Sequence, residues 1–237
     1  MSLQKATETA IEALRSLRFG PPVACVYNPL DYASELHNAW LERFGRGPKE
    51  VLLVGMNPGP FGMVQTGIPF GEVAVVRDFL GLRGEVRQPL HTHGKRPVQG
   101  LACTRSEVSG RRLWGWVASR FGSPQRFAER FFVTNYCPLA FVADTGANLT
   151  PDKLPKAATA PLFTICDRLL AQVVTAVRPR LVVGVGAWAE QRARTVLGDS
   201  VAIGRIPHPS PASPAANRGW DALADAAFAR LGVAISG

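Results

Sequence analysis

Val51-Leu-Leu-Val-Gly55 runs directly into Met56-Asn-Pro-Gly-Pro-Phe-Gly-Met63: five residues without a charge, ended by glycine and proline. An apolar run this short, bounded by turn-forming residues, reads as a strand buried on both faces. The pattern returns at Phe131-Phe-Val-Thr-Asn135, halted by Pro138, and at Leu181-Val-Val-Gly-Val185. It returns again at 202–206, which leads into His208-Pro-Ser-Pro211. Helical spacing falls around 111–120, 162–177 and 188–197, and Leu3, Ala6, Ala10, Leu14 and Leu17 predict an amphipathic helix over 3–18 that covers a sheet. Strands alternating with helices predict an α/β fold, a three-layer sandwich with a central, mostly parallel four-stranded sheet flanked by helices. Ligands of such sheets gather at the carboxyl ends of the strands. That rule singles out the loops at 56–70, 135–139 and 208–220.

The chain has 237 residues, within reach of one α/β domain, and no repeat or linker divides it, so a single domain over 1–237 is expected. With 46% apolar and 19% charged residues it can bury a full core, which excludes intrinsic disorder and a disulfide-dependent mini-protein. No window approaches the roughly 20 uncharged apolar residues of a membrane span, so a soluble protein without a membrane partner is expected. The net charge is +9, carried by 22 Arg and 5 Lys. Such a balance suggests a polyanionic partner, most often nucleic acid, although a GC-rich genome would also enrich arginine and alanine. Cys25, Cys103, Cys137 and Cys166 form no C-x-x-C pair and read as small buried residues in a reducing compartment. Glu8 and Glu12 interrupt the N-terminus as a targeting signal. The expected location is intracellular, cytoplasmic if bacterial and nuclear if eukaryotic.

Each strand-end loop carries one polar residue where a side chain would enter the crevice. Asn57 follows the first strand, with a plain Asn-Pro turn as its alternative. Asn135 ends the second, with a hydrogen-bonded strand-end amide as its alternative. His208 follows the last, in a proline-stiffened loop that a partner can meet at little entropic cost.

These loops carry a resemblance. Gly55-Met-Asn-Pro-Gly-Pro-Phe-Gly-Met63 with Gln65-Thr-Gly-Ile-Pro-Phe-Gly-Glu72, Asn135-Tyr-Cys-Pro-Leu139 and His208-Pro-Ser-Pro211 resemble the single-strand-selective monofunctional uracil-DNA glycosylase family. Lys95-Arg-Pro-Val98, Ser106-Glu-Val-Ser-Gly110, Asn148-Leu-Thr-Pro151 and 182–193 extend the likeness from about residue 20 onward. The resemblance implies hydrolysis of the N-glycosidic bond of uracil and 5-substituted uracils, such as 5-hydroxymethyluracil, in single- and double-stranded DNA. An abasic site is left, and the base must leave the stack to be reached. It implies that Asn57 positions the attacking water and that His208 hydrogen-bonds the uracil O2. Asn135 reads the base edge and Phe70 stacks on the base, while Gly59 and Met63 lie near C5. Gly55, Met56 and Phe61 belong to the same substrate-binding loop. Ser210, Pro211, Ala212, Pro214, Asn217 and Arg218 are expected to meet DNA. The family commonly has a basic residue at position 212, so Ala212 is a departure, and Arg218 or the segment 214–216 is expected to share its task. No cofactor and no metal are implied, and a monomer is expected.

Other readings stand beside this one. Gly184-Val-Gly-Ala-Trp-Ala189 matches a dinucleotide-binding fingerprint, but Gly204 and Arg205 occupy the region where its acidic residue belongs, so close strand–helix packing is preferred. His91-Thr-His93 could begin a metal site but lacks further ligands. A non-catalytic nucleic-acid-binding protein and a mismatch-specific uracil or thymine glycosylase are the remaining alternatives.

Overall fold

A computed structural model describes residues 1–235. In chain order the elements are α1 (Leu3–Arg15), β1 (Cys25–Tyr27), α2 (Pro29–Tyr32), α3 (Ser34–Phe44), β2 (Val51–Gly55), α4 (Met63–Thr66), α5 (Val108–Phe121) and α6 (Pro124–Arg130). They continue with β3 (Phe131–Asn135), β4 (Ala140–Val142), β5 (Asn148–Leu149), α7 (Lys156–Val177), β6 (Leu181–Val185), α8 (Ala187–Leu197), β7 (Ala202–Ile206) and α9 (Trp220–Arg230).

The four apolar runs form one parallel sheet in the order β3-β2-β6-β7. Every residue of the central strand β2 is buried, which is why its sequence shows no polar alternation. At the edge, β7 exposes Ala202 and Arg205. Successive residues of a strand face opposite sides of a sheet, and β3 shows the two covering layers. Phe132 stacks on Trp40 of α3 at 5.4 Å, whereas Phe131 meets Phe228 of α9 at 5.8 Å and Phe121 of α5 at 5.2 Å. Each buried phenylalanine stabilises by roughly 1.5–3 kcal/mol, and each ring pair adds roughly 0.5–1.5 kcal/mol. The interlocking rings therefore fix the sheet rigidly beneath its loops.

The helices read over 3–18, 111–120, 162–177 and 188–197 are present with shifted ends. α1 starts where Ser2 accepts a hydrogen bond from the Lys5 N–H at 3.2 Å. Sequence patterning did not anticipate α3, α9 or the antiparallel sheet β1-β4-β5, which is not hydrogen-bonded to the parallel one but shares its core through Phe141. It also underrated α7: at 22 residues this helix is long and apolar enough, by length and composition, to cross a membrane. Its Leu162, Cys166, Leu170 and Val173 belong to the core, and Asp167 and Arg168 stand midway along it. All four cysteines are free and buried.

Candidate active site

The strand ends converge. Beyond the β2–β3 pairing, the Tyr136 N–H donates to the Gly55 carbonyl and the Cys137 N–H to the Met56 carbonyl, both at 2.9 Å, so the two loops leave the sheet side by side. Between these loops and the one after β7 opens a cleft of about 340 Å³. Asn57, Asn135 and His208 all line it, together with Met56, Gly59, Met63, Phe70 and Ser210.

Gly55 makes the arrangement possible. A Cβ there would stand 2.2 Å from Asn135 Oδ1 and 2.7 Å from Phe70 Cε2. Only a residue without a side chain lets the amide and the ring approach the strand so closely. Phe70 itself has φ of 56°, in the left-handed region that non-glycine residues seldom occupy. The turn around it is held by the Glu72 N–H donating to the Phe70 carbonyl at 3.0 Å. Thr66 Oγ1 holds it too, donating to the Gly71 carbonyl at 2.8 Å. Gly110 of α5 leaves room for that same Phe70 carbonyl, which a Cβ would meet at 2.2 Å. The ring ends with its centroid 6.1 Å from that of His208.

Buried polar atoms are normally paired. Asn57 Nδ2 and Asn135 Oδ1 are buried without a protein partner, and both residues line the cleft. One N–H of the Asn135 amide points to Met63 Sδ, 3.1 Å from Nδ2, and its second N–H is left to donate. The cleft thus offers donors on Asn57 and Asn135 and a free acceptor on Asn135.

The state of His208 follows from its neighbours. The Ser210 N–H donates to His208 Nδ1 at 3.0 Å, so Nδ1 is unprotonated and the ring proton sits on Nε2. Desolvation lowers its pKa to about 4. His208 is therefore a neutral imidazole with an N–H to donate. Gly186, at φ 95°, closes behind the ring; a Cβ there would lie 3.3 Å from His208 Cβ.

Arg112 and Asn217 brace the loop after β7. Arg112 donates to the Pro209 carbonyl at 3.0 Å and to Asn217 Oδ1 at 2.9 Å, and Asn217 Nδ2 donates to the Pro211 carbonyl at 2.8 Å. The Asn217 amide thus braces the loop, its Oδ1 against Arg112 of α5 and its Nδ2 against Pro211, while the residue stays exposed. Pro211, Ala212, Pro214 and Arg218 are exposed on the loop, but Ala216 is buried in the core, which removes it from the 214–216 segment expected to stand in at Ala212. Phe61 is not part of the cleft lining. Its ring lies under Arg105 at 3.8 Å and Arg96 at 5.1 Å.

Four polar side chains without an assigned role also line the cleft: Glu107 and Ser109 at the start of α5, and Asn148 and Thr150 at β5. Their sequence signal was the pair of stretches Ser106–Gly110 and Asn148–Pro151, which showed a likeness but no chemistry. Glu107 Oε2 accepts the Phe61 N–H at 3.1 Å, and burial pushes the Glu107 carboxyl pKa up.

The competing motifs resolve locally. A Cβ on Gly184 would meet the Glu190 backbone nitrogen at 2.2 Å, so this glycine serves strand–helix packing. His93 Nδ1 accepts the Lys95 N–H at 3.2 Å, bracing its own loop. Among the described residues no group of three or more His, Cys, Asp or Glu is placed to hold a metal.

A family model described as "Uracil DNA glycosylase superfamily" matches residues 43–231. A curated relative from Bos taurus, the "Single-strand selective monofunctional uracil DNA glycosylase", is 50% identical over 225 residues, covering 94% of this chain and 83% of its own. The protein from Rattus norvegicus with the corresponding name is 52% identical, covering 93% of this chain and 80% of its own. The crystal structure of wild-type Pedobacter heparinus SMUG2 superposes with a TM-score of 0.67 at 19% identity, over 96% of this chain and 98% of that one. At that identity the last likeness concerns the fold.

Proposed function

The chain belongs to the single-strand-selective monofunctional uracil-DNA glycosylases of the uracil DNA glycosylase superfamily, DNA-repair enzymes that excise uracil, and we propose that its Asn57, Asn135, Phe70 and His208 carry out the excision. A uracil turned out of the stack enters the cleft and lies against the Phe70 ring, an aromatic platform tolerant of ring substituents. Its N3–H donates to the free Asn135 Oδ1, and the Asn135 amide donates to O4; cytosine presents the opposite pattern and is refused.

As the glycosidic bond lengthens, negative charge gathers on the departing base and positive charge on the sugar. His208 Nε2–H donates to O2 and stabilises the first. Being already neutral, it acts as a hydrogen-bond donor and has no proton to lose at neutral pH. Asn57 holds the water that attacks the anomeric carbon. An amide is no general base near neutrality, but an oxocarbenium-like sugar asks only for a positioned nucleophile. Water adds to the sugar carbon, its proton passes to solvent, and uracil leaves as the anion. Among the described residues no lysine lines the cleft to form a Schiff base, which supports hydrolysis without strand scission.

We extend the substrate range to 5-substituted uracils such as 5-hydroxymethyluracil, in single and double strands. Pro211, Ala212, Pro214 and Arg218 face the DNA. The enzyme works as an intracellular monomer without metal or cofactor.

The observation that carries this reading is the pair of unpartnered buried amide atoms, on Asn57 and Asn135, in the cleft that the His208 ring completes. The test is alkali-revealed strand cleavage of uracil, 5-hydroxymethyluracil and thymine-mismatch oligonucleotides. Asn57→Ala and His208→Ala are expected to keep the wild-type circular dichroism and to lose on the order of 10²–10³-fold in uracil release. Wild-type rates in both folded variants would overturn the assigned roles.

A further inference from the structure

Glu107 takes no part in the steps above, yet it lines the cleft and the substrate loop is wrapped around it. A Cβ on Gly59 would stand 2.4 Å from Glu107 Oε2, and one on Gly62 would stand 3.0 Å from its Cγ. Both loop glycines are therefore shaped to this one side chain, whose Oε2 also accepts the Phe61 N–H.

Its place relative to the base follows from the order of the wall. His208 at O2 and Asn135 at N3–H and O4 leave C5 as the next ring position. Met63 adjoins Asn135 through the contact of its Sδ with Nδ2, and the Val64 N–H donates to the Gly59 carbonyl at 3.2 Å. The wall thus runs Asn135, Met63, Gly59, Glu107. We propose that Glu107 is the specificity-determining residue for the uracil 5-substituent: its carboxylate accepts a hydrogen bond from a neutral donor such as 5-hydroxymethyl and excludes an anionic group such as 5-carboxyl. The proposal rests on the base orientation given above.

Burial works against charge on Glu107, but the Phe61 N–H donated to Oε2 and the nearby Arg96 favour it, and in that form the carboxylate only accepts, so a hydroxyl gains a charge-assisted hydrogen bond from it. A second carboxylate would be repelled. Among the described residues no lysine or arginine lines the cleft to neutralise the pair, and His208 is uncharged; the fields of Glu72 and Arg96 reach Glu107 with opposite signs.

The test compares wild type with Glu107→Gln on single-stranded oligonucleotides carrying uracil, 5-hydroxymethyluracil or 5-carboxyuracil. Glutamine keeps the size of the side chain and, through its carbonyl oxygen, the hydrogen bond from the Phe61 N–H. Normalising each kcat/KM to uracil, and then variant to wild type, cancels differences between leaving bases. The ratio for 5-carboxyuracil is expected to rise at least tenfold in the variant, while that for 5-hydroxymethyluracil falls by about threefold. An unchanged 5-carboxyuracil ratio in a variant that still excises uracil overturns the proposal. Inhibition of wild type by free bases tests it without any variant. Uncharged 5-carbamoyluracil is expected to inhibit at concentrations at least tenfold lower than 5-carboxyuracil, and equal inhibition counts against Glu107. A wild-type enzyme releasing no uracil would instead refute the underlying reading, and this proposal with it.

Discussion

Gly55 bears no functional group, and replacing it by alanine is expected to disable the site more than the fold. The new methyl carbon would lie 2.2 Å from Asn135 Oδ1 and 2.7 and 2.9 Å from two Phe70 ring carbons, against ordinary contacts of 3.4 Å or more. Asn135 must therefore retreat by about 1 Å and the Phe70 ring by about half that. Overpacking at one buried position costs roughly 1–3 kcal/mol, a fall in Tm of about 2–12 °C for a chain this long. A displacement of about 1 Å in a group that positions substrate costs on the order of 10²-fold in rate. Calorimetry and kcat/KM for uracil in a single-stranded oligonucleotide measure the two effects on one preparation. A double-mutant cycle assigns the cause. If the damage passes through Asn135, Gly55→Ala should cost much less in an Asn135→Ala background than in wild type. A folded Gly55→Ala enzyme with near-wild-type kcat/KM would refute the reasoning, because the close approach of strand and amide would then be dispensable.

Further outcomes follow from buried hydrogen bonds and proton equilibria. With the His208 pKa lowered from 6.5 to about 4, the imidazole stays neutral between those values and charges only below them. The kcat/KM profile is expected to hold from pH 7 to near 5 and to decline toward 4; a decline centred near 6.5 would show that His208 is not desolvated. His37 is buried, with Nδ1 donating to the Gly67 carbonyl at 2.8 Å, and burial lowers its pKa to about 4 as well. Its unfolded form gains a proton first, so stability is full above about pH 6.5 and is lost as pH falls toward 4, by about 2 kcal/mol at pH 5. Urea unfolding of wild type and His37→Asn across this range checks it, and parallel pH dependences would count against it. Asp225 accepts the Trp116 indole N–H at 2.7 Å and pairs with Arg120 Nη2 at 2.7 Å. Asp225→Ala strands a buried donor and should cost about 1–3 kcal/mol without altering uracil excision; an unchanged Tm would refute it.

The parallel sheet was legible because its strands are covered on both faces, so burial writes itself as an unbroken apolar run at Val51–Gly55 and Leu181–Val185. The antiparallel sheet was not: β1 spans three residues and β5 two, too short for an alternating pattern. Their pairing comes from partners distant in sequence, such as Val142 with Cys25. Asn148 and Thr150 reach the cleft through that sheet, so the likeness of Asn148–Pro151 gave them no chemistry. Asn57, Asn135 and His208 could be found because a positional rule points to strand ends. Glu107 obeys no such rule. The likeness of Ser106–Gly110 marked its stretch without a chemistry, and Gly59 and Gly62, whose missing side chains make room for it, are its only other trace.

Charge illustrates how a bulk property divides once partners are known. The excess of +9 is not confined to the cleft: Lys49, Arg178 and Arg180 lie at the opposite, amino-terminal ends of the strands, where no substrate loop emerges. Some arginines are neutralised, as Arg120 is by Asp225 and Arg130 by Glu50. Arg112 differs. Its hydrogen bonds go to a carbonyl and an amide, both neutral, so it braces the loop after β7 while keeping its full charge there. Arg105 likewise spends its guanidinium on the face of Phe61, and Arg218 is exposed; among the described residues neither forms an ion pair. Hydrogen bonding to neutral acceptors orders a cation without cancelling its field. Arg105, Arg112 and Arg218 therefore keep their charge on or beside the functional loops, and Arg105 and Arg112 order those loops as well.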